Sequence, residues 1–146
     1  MKMKKLICVM ALVCIGMLLV SCGSKRLDNP KAQFIRDFGL NIEKKDCVLE
    51  ELFNNYEGVP YEGIALYKLT VGEDVRQAFL QWERFPLPEA AENFLESLSA
   101  YVELPSITDG YWKMVDRNPG TSAYTNVSLC VYDGATGAAY LLTMDI

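Results

Sequence analysis

The sequence predicts an α+β domain, in which an antiparallel sheet of about five strands has two or three helices packed on one face. Two observations predict this class. The C-terminal third reads as strands joined by short turns, whereas two segments with apolar residues at helical spacing precede it. Another strand pattern comes before those segments. The strands therefore form two runs with helices between them.

The first predicted element is a short helix over residues 30–38. Asn29-Pro30 offers an N-cap followed by proline at the first helical position, and Gly39 is a natural stop. Residues 46–53 are ambiguous between strand and helix. They precede a loop over 54–63, which is rich in glycine, proline and asparagine.

A strand and two helices are predicted next. Residues 64–71 alternate between two faces, which is typical of a strand. Residues 73–84 carry a helical stripe, and Pro88 can start a second helix after Phe85-Pro86-Leu87-Pro88 breaks the first. Both stripes are interpreted as core; they comprise Val75, Ala78, Phe79 and Trp82, then Ala91, Phe94, Leu95, Leu98 and Tyr101.

The C-terminal strands are predicted at 110–117, 126–133 and 138–146, and Gly134-Ala-Thr-Gly137 joins the last two as a hairpin. Pairing Asp133 with Ala138 fixes the register. One face then receives the pairs Val131–Tyr140, Leu129–Leu142 and Val127–Met144, and it is expected to lie under the helices. The other receives Tyr132–Ala139, Cys130–Leu141 and Ser128–Thr143.

The N-terminus has the pattern of a secretory signal peptide. Three lysines within MKMKK precede an uninterrupted apolar run over residues 6–20. A spanning helix needs about 20 apolar residues, and this run is shorter, so a permanent membrane span is the weaker interpretation.

Leu19-Val20-Ser21-Cys22 resembles the lipobox of bacterial lipoproteins, namely an aliphatic residue, a tolerant position, a small residue and a cysteine. The resemblance implies a diacylglyceryl thioether on Cys22 and cleavage between Ser21 and Cys22. Two acyl chains suffice for stable anchoring. The expected organisation is a signal peptide over residues 1–21, a lipidated tether over 22–28 and one globular domain over 29–146.

Two cysteines remain after this processing, Cys47 and Cys130. Outside the membrane they could pair as a disulfide. The alternative is two separate buried thiols, which behave like small apolar side chains.

Composition excludes several kinds of chemistry. The chain contains no histidine, which removes the usual general base, the usual zinc ligand and the nucleophile systems that depend on histidine. Residues 22–36 carry a net charge of +3, whereas residues 37–146 carry seven basic and eighteen acidic side chains. The acidic body disfavours nucleic-acid binding. No catalytic residue, metal site or cofactor is predicted beyond the lipid on Cys22.

Candidate partner-binding residues lie in the loop over 54–63 and on one sheet face. The loop lacks the ligand spacing of a calcium site, but its tyrosines and carboxylates could contact a partner. The candidates are Tyr56, Glu57, Tyr61, Glu62 and, on the sheet, Tyr132. Three aspartates near strand ends, Asp116, Asp133 and Asp145, are interpreted as turn residues.

Beyond the lipobox, the body resembles a group of small lipoproteins from Gram-positive bacteria. The resemblance is carried by Glu62-Gly63 before a strand, by ERFPLP (83–88), by GYWKMVDR (110–117) and by the closing CVYDGATGAAYLLTMD. It implies a lipoprotein at the cell membrane and brings no known activity.

Three functional hypotheses follow. The first is a lipid-anchored, extracytoplasmic, non-catalytic module that binds a protein, peptide or cell-wall partner. The second is an immunity or inhibitor protein against a basic toxin or secreted enzyme, which the acidic body would suit. The third is a hydrolase that uses carboxylates or a Ser/Lys pair, and it ranks last because no catalytic motif is present.

Overall fold

The computed structural model describes residues 30–42, 46–56, 62–120 and 125–146. They form one six-stranded antiparallel sheet in the order β1-β2-β6-β5-β4-β3. In chain order the elements are α1 (Pro30–Phe38), β1 (Val48–Asn54), β2 (Gly63–Thr70), α2 (Glu73–Phe79), β3 (Glu83–Arg84), α3 (Glu89–Ser97), β4 (Gly110–Asp116), β5 (Asn126–Asp133) and β6 (Ala138–Asp145). The predicted α+β class is confirmed.

The hairpin of β5 and β6 has the predicted register. Val131 lies opposite Tyr140 and Leu129 opposite Leu142, and all the other predicted partners down to Val127 and Met144 also match. The Gly137 N–H donates to the Asp133 carbonyl at 2.9 Å, and Gly137 adopts a φ of 72°, which glycine tolerates without strain. The hairpin fills the centre of the sheet.

The helices lie on both faces of the sheet, whereas the sequence predicted one face. One face packs against α1 and α2 through Phe34 and Phe79, and the other packs against α3 through Phe94. The correction has a simple reason: β5 and β6 are buried at nearly every position, and eleven of their sixteen residues are apolar, which is typical of strands with two buried faces. The sequence analysis used the alternation of side chains to set the register of the hairpin, but it placed no helix on the second face of the sheet.

The first helix has the predicted bounds. α1 ends at Phe38, and the Gly39 N–H donates to the Ile35 carbonyl at 3.0 Å while Gly39 adopts a φ of 69°. This is the left-handed position that closes many helices. Phe34 and Phe38 are buried, so the helix is held by its apolar stripe.

Three details go beyond the sequence analysis or differ from it. The ambiguous segment 46–53 forms a strand, β1. The short strand β3 raises the count from the expected five to six. α3 ends at Ser97, so Tyr101 is 56 % exposed rather than part of the core.

At Gly110 the backbone of β4 lies directly against the backbone of β5. A Cβ atom built there would overlap the carbonyl oxygen of Tyr132. Only glycine lets the two backbones meet at this distance. This contact fixes the start of β4 beside the end of β5.

Candidate functional site

An open groove lies at the edge of the sheet, beside β4 and just before the first residue of β3. β3 covers β4 through two pairs only, Glu83 with Trp112 and Arg84 with Tyr111. On the N-terminal side of Glu83 the chain leaves β4, because the Gln81 N–H donates to the Ala78 carbonyl in the turn after α2. The resulting groove has a volume of about 340 Å³ and is lined by Gln81, Trp82, Glu83, Trp112, Lys113 and Met114.

The floor of the groove is the outer backbone edge of β4. The Arg117 N–H donates to the Asn126 carbonyl at 2.8 Å, on the β5 side. The Gly110 carbonyl accepts from the Phe85 N–H at 3.1 Å, on the β3 side. Because antiparallel ladders alternate, the backbone groups of Met114 point toward the groove, where no strand among the described residues pairs with them.

Two tryptophans wall the groove. Trp82 packs edge-on against Phe79 with ring centroids 4.8 Å apart, and the Lys113 ammonium lies 5.8 Å from the centroid of the Trp82 ring. Trp112 is 9 % exposed, and its indole N–H has no hydrogen-bond partner among the described residues. The groove therefore combines apolar walls with charged side chains at its rim.

A second polar feature, the Arg117 cluster, joins α1 to the sheet. The Arg117 guanidinium donates to Asp37 Oδ2 at 2.9 Å, to Ser128 and to Asp145. Ser128 Oγ also donates to Asp37 Oδ2 at 2.8 Å. We define the cluster as these four residues together with Tyr56, whose hydroxyl donates to Asp145 Oδ2 at 2.9 Å.

The groups of the Arg117 cluster satisfy one another. Burial alone would raise the pKa of Asp37, but hydrogen bonds from Arg36 and Ser128 and the charge of Arg117 leave it below its ordinary 3.8. The Asp37 side chain is 3 % exposed and Ser128 is fully buried, so the cluster offers no opening to a substrate. Its arrangement is that of a structural ion-pair network.

The three strand-end aspartates play different parts. Asp116 and Asp133 accept hydrogen bonds from backbone N–H groups two residues on, Asn118 and Ala135, as expected of turn residues. Asp145 instead pairs with Arg117, so its interpretation as a turn residue is wrong. The two residues are 28 positions apart in the chain, so the local sequence does not indicate that they pair.

The predicted partner-binding loop is described only at its ends. Tyr56 is half-buried, its hydroxyl contacts Asp145 and Thr143, and burial raises its pKa. Tyr56 therefore anchors the loop to the sheet. Glu62 is exposed, whereas Glu57 and Tyr61 lie outside the described residues.

Tyr132 cannot contact a partner, which corrects the sequence-based expectation. It is 1 % exposed, because α2 covers it and the Phe79 ring stacks on it with centroids 4.7 Å apart and planes 7° from parallel. The sequence analysis expected no helix on the sheet face that carries Tyr132, which explains the error.

The two cysteines of the body are free, buried thiols, so the disulfide is not formed in the structure and the alternative expectation describes them. Both belong to the same core cluster as Phe79, and burial raises the pKa of the Cys130 thiol. Ser21 and Cys22 lie outside the described residues.

The groove was missed because Trp82 was assigned to the core and Trp112 was interpreted only as part of a strand. No local signal was present, because residues 80–82, where the chain turns away from β4, contain neither proline nor glycine.

Within the described segments, no group of three or more His, Cys, Asp or Glu is placed to hold a metal ion, and no helix has the length and apolar character needed to cross a membrane. Comparison with protein-family models, with curated proteins and with solved structures finds no match to the chain.

Proposed function

We propose that this chain is a lipid-anchored, extracytoplasmic lipoprotein whose domain is a non-catalytic binding module, with the groove beside β4 as its binding site. The groove carries the binding role, because it joins two tryptophan walls to an unpaired strand edge. The lipobox residues Leu19 to Cys22 carry the anchoring role.

The chemistry of the groove favours binding over catalysis. Glu83 is the single carboxylate among its lining residues, and a carboxylate-based hydrolase needs two carboxyl groups at defined separation. Ser128, the buried serine of the Arg117 cluster, is held by Arg117 and Asp37 and is away from solvent. These observations support a module that holds its ligand unchanged.

The tether keeps the proposed module close to the bilayer. Eight peptide bonds link Cys22 to Pro30, where α1 begins. A fully extended chain advances about 3.3–3.6 Å per residue, so the lipid and the domain would be separated by less than roughly 30 Å. Such tethering raises the local concentration of the module for any partner at the same surface.

Metabolic labelling with an alkyne-bearing fatty acid tests the anchor. We expect the expressed chain to be labelled and to sediment with membranes, whereas the Cys22→Ala variant is unlabelled. The matched control, Cys47→Ala, removes a thiol of the body and should keep both label and membrane association. Label retained in Cys22→Ala, or absent from the unaltered chain, would refute lipid anchoring.

A second candidate, an immunity or inhibitor protein, is favoured by the charge of the body. Residues 37–146 carry eighteen acidic and seven basic side chains. Association with a basic target would then weaken as salt rises, because the Debye length falls from about 10 Å at 0.1 M to about 3 Å at 1 M. An activity assay on the partner that copurifies from membranes at low salt distinguishes the two candidates: a toxin or enzyme whose activity the chain abolishes favours the inhibitor, and a partner whose activity is unchanged favours the module.

A further inference from the structure

β4 extends beyond the two residues that pair with β3. Its outer edge between Lys113 and Asp116 has no partner strand among the described residues. We propose that this edge binds an extended, positively charged peptide segment of a partner protein, which pairs with β4 as a continuation of β3. The proposal rests on the binding function above and specifies its ligand. The groove beside Trp82 and Trp112 is where that segment would enter.

The backbone of the edge selects an extended peptide. The alternation that turns Met114 toward the groove also turns Asp116 the same way, one strand repeat further on. Their N–H and C=O groups recur at about 6.8 Å, which is twice the rise per residue of an antiparallel strand. A peptide strand presents complementary groups at that same repeat, as in other cases of strand addition to a sheet edge.

The side chains specify positive charge at one position. Glu83 lies opposite Trp112, and opposite residues of an antiparallel pair place their side chains on the same face. Met114 and Asp116 are two and four residues along from Trp112, so they share that face. A peptide residue opposite Met114 would thus have Glu83 and Asp116 on either side of it.

Both the aliphatic stem and the charged head of a lysine or arginine side chain fit that position. Its aliphatic stem can cover Met114 and Trp112, while its charged head reaches the exposed carboxylates of Glu83 and Asp116. Lys113 points to the opposite face, where its ammonium lies over Trp82, so it does not oppose this charge. The local arrangement and the acidic body therefore favour the same partner.

The same charges disfavour a second copy of the chain as the occupant. Two bodies that each carry an excess of eleven acidic side chains repel one another at low salt. Pairing of two β4 edges would also bring acidic side chains of both copies to one seam. The partner that fits is a different chain with a basic extended segment.

Peptide titration of the full lipidated chain in detergent micelles tests the proposal. The probe is a four-residue peptide, capped at both ends, with the order Thr-Val-Lys-Val, which would lie opposite Asp116 to Lys113 with its lysine opposite Met114. Two further probes replace the lysine by glutamate, or methylate the backbone nitrogen of the lysine, which faces Met114. Trp82 and Trp112 are the only tryptophans of the chain and both line the groove, so their fluorescence reports occupancy.

We expect the lysine peptide to bind about tenfold more tightly than the glutamate peptide at low salt, since two exposed ion pairs change sign. The methylated peptide should lose binding because it lacks the N–H that would donate to the Met114 carbonyl. The double variant Glu83→Lys with Asp116→Lys should reverse the preference. A matched double variant on β1 at the opposite edge of the sheet, Glu50→Lys with Glu51→Lys, should bind as the unaltered chain does.

Four results would overturn the proposal: no binding of the lysine peptide, equal binding of the methylated peptide, an unchanged preference in the Glu83/Asp116 variant, or self-association of the chain through β4 in sedimentation. Each leaves the lipid anchor standing, since fatty-acid labelling tests it separately. Loss of label at Cys22 with peptide binding intact would instead refute the anchor alone.

Discussion

Replacing Arg117 by methionine removes the centre of the ion-pair network that joins α1 to the sheet. The guanidinium is 19 % exposed and bridges Asp37, which is 3 % exposed, to Asp145. Breaking a buried pair by removing one partner costs about 3–5 kcal/mol of folding free energy. Arg36 still contacts the other oxygen of Asp37 at 2.7 Å, so we expect the lower part of that range, about 3 kcal/mol.

Urea unfolding followed by tryptophan fluorescence measures this loss. With a denaturant slope of about 1–3 kcal/mol per M, the midpoint of R117M should fall by roughly 1–3 M. Arg84→Met is the matched control, because Arg84 pairs with Asp109 at 3.2 Å while both side chains are about two-thirds exposed. That pair should contribute less than about 1 kcal/mol.

The penalty in R117M should depend on pH. The pKa of Asp37 lies below its ordinary 3.8 in the native state, so its stabilising contribution is present above that value and is lost as pH falls through the native pKa. The difference between R117M and the unaltered chain should therefore narrow below about pH 4. A loss no larger than that of Arg84→Met, or one that is constant with pH, would refute the role of Arg117 as a buried link.

Three further predictions concern the core. Gly110→Ala should lower the urea midpoint sharply, because the added Cβ would overlap the Tyr132 carbonyl. The control Gly134→Ala should change the midpoint little, because its Cβ would lie 3.4 Å from the nearest neighbouring atom. Equal effects of the two variants would contradict the close approach at Gly110. Phe79→Ala should cost about 3–5 kcal/mol in the same assay, and a loss below about 1 kcal/mol would contradict its stacking on Tyr132. The Cys130 thiol should react with an aromatic disulfide reagent only after unfolding, because it is fully buried and burial raises its pKa. If the thiol of the folded protein reacted as fast as an exposed thiol, that result would contradict the buried placement.

The local elements were predictable because short-range patterns determine them. The strands from 126 to 145 and their register follow from alternation and from a glycine-bounded turn, and α1 follows from its proline start and glycine stop. The distribution of helices over two faces was not predicted. Tyr132 and Cys130 are as apolar as their neighbours, so alternation defines two faces without saying what covers each.

The two sites depend on long-range contacts, which one sequence does not display. Arg117 meets Asp37 across 80 positions of chain, so neither residue differs from an ordinary surface charge in its local context. The groove exists because β3 is shorter than β4, and this difference appears only once Glu83 is paired with Trp112. The prolines after Arg84 limit β3 only at its other end, away from the groove.

The order of strands in the sheet has a consequence for the synthesis of the chain. β6 lies between β2 and β5, so the two strands made last among the described elements form the middle of the sheet. Until they emerge, β1 and β2 can pair only with each other, and β4 can pair only with the two residues of β3. A nascent chain that lacks residues beyond 125 thus has two disconnected fragments and no closed core. Such a chain stays largely unfolded until β5 and β6 have been made, and the export proposed above would require an unfolded chain to enter a translocation channel.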